Sequence, residues 1–172
     1  MLPTRPRPVY APNTPLADLR TAELFTVSSL RLWALPCKDP AGVHPDWREG
    51  FARAGIGEDG AASFDALFRI VVATALRSLD VRCLRCARLG ADEAWLLQLT
   101  SLFQQRRGND AAAILGDWLP PAAMRIAVVP AQHFAAALAG RGLLIPYRHA
   151  EAATVHLHGL SAHAAPGLAL VQ

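Results

Sequence analysis

The chain has 172 residues, 52 % of them apolar, with a formal charge of +3 and a pI near 9.1. That length suits one domain with a full core and is short for two. Alanine and leucine dominate and aromatics are few, which favours helix because those side chains lose little entropy in it. The basic charge is nearly all arginine, with Lys38 the only lysine, and it is scattered among fourteen acids, so the composition argues against a nucleic-acid partner.

The opening "MLPTRPRPVYAPNTP" is dense in proline and has no apolar run, so residues 1–15 are expected to form a flexible arm, neither helix nor secretory signal. From Leu16 to Leu35, the spacing of Leu19, Val27, Leu30 and Trp33 predicts a first helix, which Pro36 is expected to end. "PCKDPAGVH" reads as a loop. Pro45 then stands at a first helical position with Asp46 and Glu49 at the positive end of the dipole, predicting a short helix over 45–54. After "GIGEDGAA", the residues Phe64, Leu67, Phe68, Val71, Val72, Ala75 and Leu79 follow a helical period and are expected to face the core together.

Gly90, Asp92 and Glu93 mark the next helix start, and Trp95, Leu96, Leu99, Leu102 and Phe103 form its apolar stripe. Asn109 is expected to cap a helix carrying Ile114, Leu115 and Trp118, which "LPP" closes. Pro121 opens the last helical region, running to Gly140; Pro130 is expected to kink it or to start a new helix, and Met124 to Val129 also fits a short strand. Residues 148–172 carry no helical stripe and read as a flexible tail with at most one strand, at 154–157. His156 and His158 share one face of such a strand, with His163 beyond, and the polar composition gives them no catalytic role. The expectation is an all-α fold: a single compact bundle of about six helices over 16–147, between two flexible ends.

The most apolar stretches are interrupted by Arg69, by Pro130, Gln132 and His133, and by Arg141, so no membrane span is expected and the protein is placed in the cytoplasm. An odd count of three cysteines argues against a secreted disulfide framework and for thiols kept reduced or bound to metal.

The chemical question sits in "VRCLRCARLGADE". Cys83 and Cys86, two residues apart, make half of a tetrahedral zinc site, since both thiolates of such a pair reach one metal. Cys37 and His44, in the loop after the first helix, are the candidates for the other two ligands, giving a structural zinc held by Cys37, His44, Cys83 and Cys86. The pair also reads as two small residues packing a loop with Leu84 and Leu89. A redox dithiol is the remaining reading: Arg82, Arg85 and Arg88 supply cations, but the next helix opens only at Gly90, too late for its dipole to reach the sulfurs. No phosphate-binding loop, G-x-S-x-G elbow or H-E-x-x-H motif occurs, and the helix-turn-helix-like stretch from Ala111 to Val129 offers only Arg125 to DNA. The expected function is a non-catalytic interaction or regulatory protein whose partner is another protein. The alternatives are a thiol-dependent redox enzyme working through Cys83 and Cys86, and a DNA-binding regulator.

Overall fold

The structure, a computed structural model, describes residues 9–148. A 3-10 turn at Leu16–Asp18 precedes six helices: α1 Thr21–Lys38, α2 Trp47–Arg53, α3 Glu58–Thr74, α4 Ala91–Gln104, α5 Gly108–Trp118 and α6 Pro121–Ala139. No strand occurs among the described residues beyond one isolated bridge between Pro15 and Arg88, so the all-α expectation holds. The expected strand at 154–157 and the histidines 156, 158 and 163 lie outside the described residues.

The most extensive packing joins α3 to α6, and small residues make it close. Ala123, Ala127, Ala131 and Ala135 are buried on α6, and a Cβ placed on Gly60 of α3 would stand 2.8 Å from that of Ala137. Phe51, Phe64, Phe68 and Phe134 interlock nearby at 0–1 % exposure, with ring centroids of Phe64 and Phe134 4.9 Å apart. Four such side chains contribute on the order of 6–12 kcal/mol before chain entropy is subtracted. Helix α4 packs against α1, α5 and α6 and is buried nearly all round, its polar residues Asp92, Glu93, Thr100 and Ser101 included. A smaller apolar cluster of Tyr10, Leu19, Val27, Leu89, Leu97 and Ile145 lies on the other side of α1 and α4.

Several local expectations give way to packing. Helix α1 passes through Pro36 to Lys38, and the Asp39 amide still reaches the Leu35 carbonyl at 2.9 Å; losing one donor within the last turn is too small a cost to stop the helix. Pro130 likewise sits inside an unbroken α6, flanked by buried Ala127, Ala131 and Phe134, and Met124 to Val129 is helix, not strand. Helix α3 stops at Thr74, leaving Ala75 and Leu79 in the following loop. Val72, expected in the core, is 59 % exposed, because α1 does not lie along α3 to cover it. The chain also joins the fold before residue 16: Tyr10 is buried at 5 % exposure, and the Leu89 amide donates to the Thr14 carbonyl at 2.9 Å. By length and composition α6 is able to cross a membrane, with 19 residues of hydropathy 1.3 despite its proline, glutamine and histidine, and 33 % of that window is buried inside this fold.

Candidate functional site

Between α3 and α4 the chain from Ala75 to Gly90 has no regular structure, yet buried charges hold it in place. Asp92 and Glu93 are the residues that mark the start of α4, and the fold uses them as anchors at 1 % and 0 % exposure. Asp92 accepts both Arg77 Nη groups at 2.9 and 2.7 Å, the Asp80 amide at 2.6 Å and the Trp118 indole N–H at 2.8 Å. Burial alone would raise its pKa; the hydrogen bonds from Arg77, Asp80 and Trp118 and the Arg77 charge outweigh it and hold the carboxyl below the usual aspartate value.

Glu93 accepts Arg31 Nε at 2.7 Å and Nη2 at 2.8 Å, together with the amides of Arg82 and Gly90 at 2.9 and 2.7 Å. Arg31, itself 2 % exposed, also donates to the carbonyls of Cys86 at 2.6 Å and Arg88 at 2.8 Å. One guanidinium thus ties α1, the start of α4 and the cysteine loop together. Sequence reading missed Arg31, although its place four residues after Val27 and three before Ala34, both buried, puts it on the apolar stripe. A third buried group, Glu23, takes the Tyr10 hydroxyl at 2.7 Å, the Arg20 amide at 2.7 Å and Arg148 Nη2 at 3.0 Å. Burial first, and the Glu23 charge with its hydrogen bond second, push the Tyr10 phenol well above its ordinary pKa. Among the described residues no buried side-chain nitrogen or oxygen lacks a partner.

Cys83 and Cys86 are bonded to each other as a disulfide, in a turn that the Cys86 amide closes onto the Cys83 carbonyl at 3.1 Å. Cys83 is exposed and Cys86 half-buried. Cys37 is a free, exposed thiol near the end of α1, and His44 Nε2 lies 2.7 Å from the Asp39 carbonyl in its own loop. The fold therefore does not bring the four expected zinc ligands together, and no group of three or more His, Cys, Asp or Glu residues among the described residues is placed to hold a metal. The two sulfurs are bonded to each other, and Arg31 holds the carbonyls of Cys86 and Arg88 in the loop. Leu89 packs inward at 3 % exposure as expected, whereas Leu84 is 43 % exposed. The start of α4 is closed off from the sulfurs: Glu93 occupies the Gly90 amide, and Asp80 Oδ2 accepts from the Ala91 amide at 2.9 Å.

Beside this loop lies an apolar cleft. Trp33 of α1 reaches across to α3, where its indole N–H donates to Asp65 at 2.8 Å and its ring meets that of Phe68 at 5.5 Å. Beyond that bridge the two helices leave a cavity of about 230 Å³, walled by Leu30 and Ala34 of α1, Val71 and Val72 of α3, and Leu79 and Val81 of the loop. Lys38 closes one end by donating to the Val81 carbonyl at 2.5 Å. Val72 is exposed at its rim; Leu76, just beyond the end of α3, is also exposed, with its amide on the Trp118 carbonyl at 2.8 Å. Neither the family models, nor the curated proteins, nor the solved structures compared with this chain provide a match.

Proposed function

We infer that this chain is a non-catalytic interaction protein that receives an apolar segment of another protein in the cleft between α1 and α3. The observation that carries the reading is the exposure of Val72, a member of the apolar stripe of α3, at the mouth of an apolar cavity. At 59 % exposure this side chain forgoes about 1–2 kcal/mol of the stabilisation that full burial gives, which a partner covering it would recover. The buried ionisable groups support the same reading, because Glu23, Arg31, Asp92 and Glu93 are each committed to internal partners. The outer face of α6 favours a protein over DNA: Arg125 stands there beside Ile126 and Val129, which are 64 % and 54 % exposed and offer a phosphate nothing.

A photoreactive amino acid at position 72 or 76, introduced in the producing cell, tests this. The expected result is one dominant protein adduct at both positions, lost when Val71 is changed to Asp in a protein that keeps its helical circular dichroism. Adducts at 72 and 76 no more abundant than at Arg53, on exposed α2 surface, would refute it.

A further inference from the structure

We propose that Cys83 and Cys86 form a thiol–disulfide exchange site for a small acidic thiol of the glutathione class, with Cys83 the sulfur attacked and Cys86 the sulfur released. This inference is independent of what fills the cleft. A disulfide that exists to hold a fold joins segments nothing else joins, and this one does not. It links residues three apart in sequence, inside a loop that is already pinned on both sides. Upstream, the Arg82 amide is held by Glu93 and the Val81 carbonyl by Lys38; downstream, Arg31 holds the carbonyls of Cys86 and Arg88. Opening the bond leaves every one of those contacts in place, so the loop survives reduction and the bond can re-form.

The two sulfurs are not equivalent. Cys83 lies on the exposed side of the turn together with Leu84 and Arg85, where an incoming thiolate has access. Cys86 is half-buried, and its backbone is fixed by the buried Arg31 guanidinium at 2.6 Å, so its sulfur stays poised over the turn when released. Exposed Arg82, Arg85 and Arg88 flank the pair in sequence; Arg82 is paired with Asp80 at 3.1 Å and Arg88 donates to the Asn13 carbonyl, and the net positive charge of the loop attracts a thiol bearing carboxylates and favours its thiolate.

In the forward direction a thiolate attacks Sγ of Cys83, forming a mixed disulfide and breaking the Cys83–Cys86 bond, whose electron pair leaves on Cys86. A second thiolate then attacks the sulfur of the bound small thiol, releasing the small disulfide and the Cys83 thiolate. Two thiols are oxidised to one small disulfide, one protein disulfide is reduced, and the two protons end on Cys83 and Cys86. In reverse, the Cys86 thiolate attacks Sγ of Cys83 in the mixed disulfide and expels the small thiol.

The test uses the full chain equilibrated with mixtures of reduced and oxidised glutathione, quenched, alkylated and digested with trypsin. Cleavage after Arg82, Arg85 and Arg88 puts the two cysteines on separate peptides, 83–85 and 86–88, so each is read independently of Cys37. The expected result is joint, reversible alkylation of both peptides with no change in circular dichroism, and glutathione trapped on 83–85. With oxidised glutathione, Cys86→Ser should acquire the adduct on Cys83 about tenfold faster than Cys83→Ser acquires it on Cys86, as sulfur accessibility dictates. A bond that opens only in denaturant, equal trapping on the two peptides, or zinc bound to the pair in freshly prepared protein would each overturn the proposal. The wild-type adduct on 83–85 decides the question even where a serine variant does not fold.

Discussion

Replacing Arg31 with methionine should be among the most damaging single changes to this fold. The substitution keeps an unbranched chain of similar reach and removes the charge, leaving Glu93 without its guanidinium partner at 0 % exposure and the carbonyls of Cys86 and Arg88 without their donors. Removing one partner of a buried ion pair typically costs 3–5 kcal/mol, and because Glu93 keeps the amides of Arg82 and Gly90 we expect a value near 3 kcal/mol. Solvent screening offers little relief, since both side chains are at or below 2 % exposure. At about 2–4 °C per kcal/mol for a chain of this length, the melting temperature should fall by roughly 6–12 °C. Urea unfolding of the oxidised protein, with an unchanged m-value, measures the loss. Adding Glu93→Gln should recover part of that loss, because the neutral amide tolerates burial, while its one oxygen keeps only one of the two backbone N–H groups that the carboxylate accepts through separate oxygens. A loss under about 1 kcal/mol, the range of exposed pairs, or strict additivity in the double variant would refute the assignment of Arg31 as the central anchor.

The Asp92 carboxyl is held below its usual pKa, so the stability it supplies is complete above the unfolded aspartate value of about 3.9 and is lost as pH falls through the lower folded value. Asp92→Asn should therefore flatten the acid limb of melting temperature against pH and leave the shape of the curve above about pH 5 unchanged; an unaltered acid limb would contradict this. A chain cut to residues 16–147 loses the Tyr10 side chain and both non-local donors to Glu23, and should be less stable than the full chain by about 3 kcal/mol or more, measured by urea unfolding. Equal stability would show that the segment before Leu16 is dispensable. Arg106 ends α4 with φ of 61°, and its neighbour's amide reaches back to the Leu102 carbonyl at 2.8 Å, so Arg106→Gly should stabilise by about 0.5–1 kcal/mol in the same assay, whereas Arg106→Ala should not.

The helices themselves were legible because periodicity is local. Leu96, Leu99 and Leu102 on α4, and Ile114, Leu115 and Trp118 on α5, announce their buried faces by spacing alone, and all six are at or below 3 % exposure. Chain order and the number of helices followed from those stripes and from the proline and glycine punctuation between them. The same reasoning missed at Pro36, and at Pro130 it allowed a new helix that does not start there, because a rule about one residue's hydrogen bond met the packing of a whole helix.

What the sequence by itself determined was which faces are apolar; what only the tertiary structure decided was what meets them. Val72 belongs to the stripe of α3 as surely as Phe68 or Val71, yet it faces water because α1 meets α3 at Trp33 without packing along it. Arg31, Asp92 and Glu93 look like ordinary helix-surface charges until their partners arrive from up to 62 residues away, and a buried charge is tolerable only in the presence of that partner. The cysteine pair shows the same division. Its spacing suits zinc and a disulfide equally well, and the choice rests on whether Cys37 and His44 come within reach, a matter settled by helix packing that no local pattern encodes.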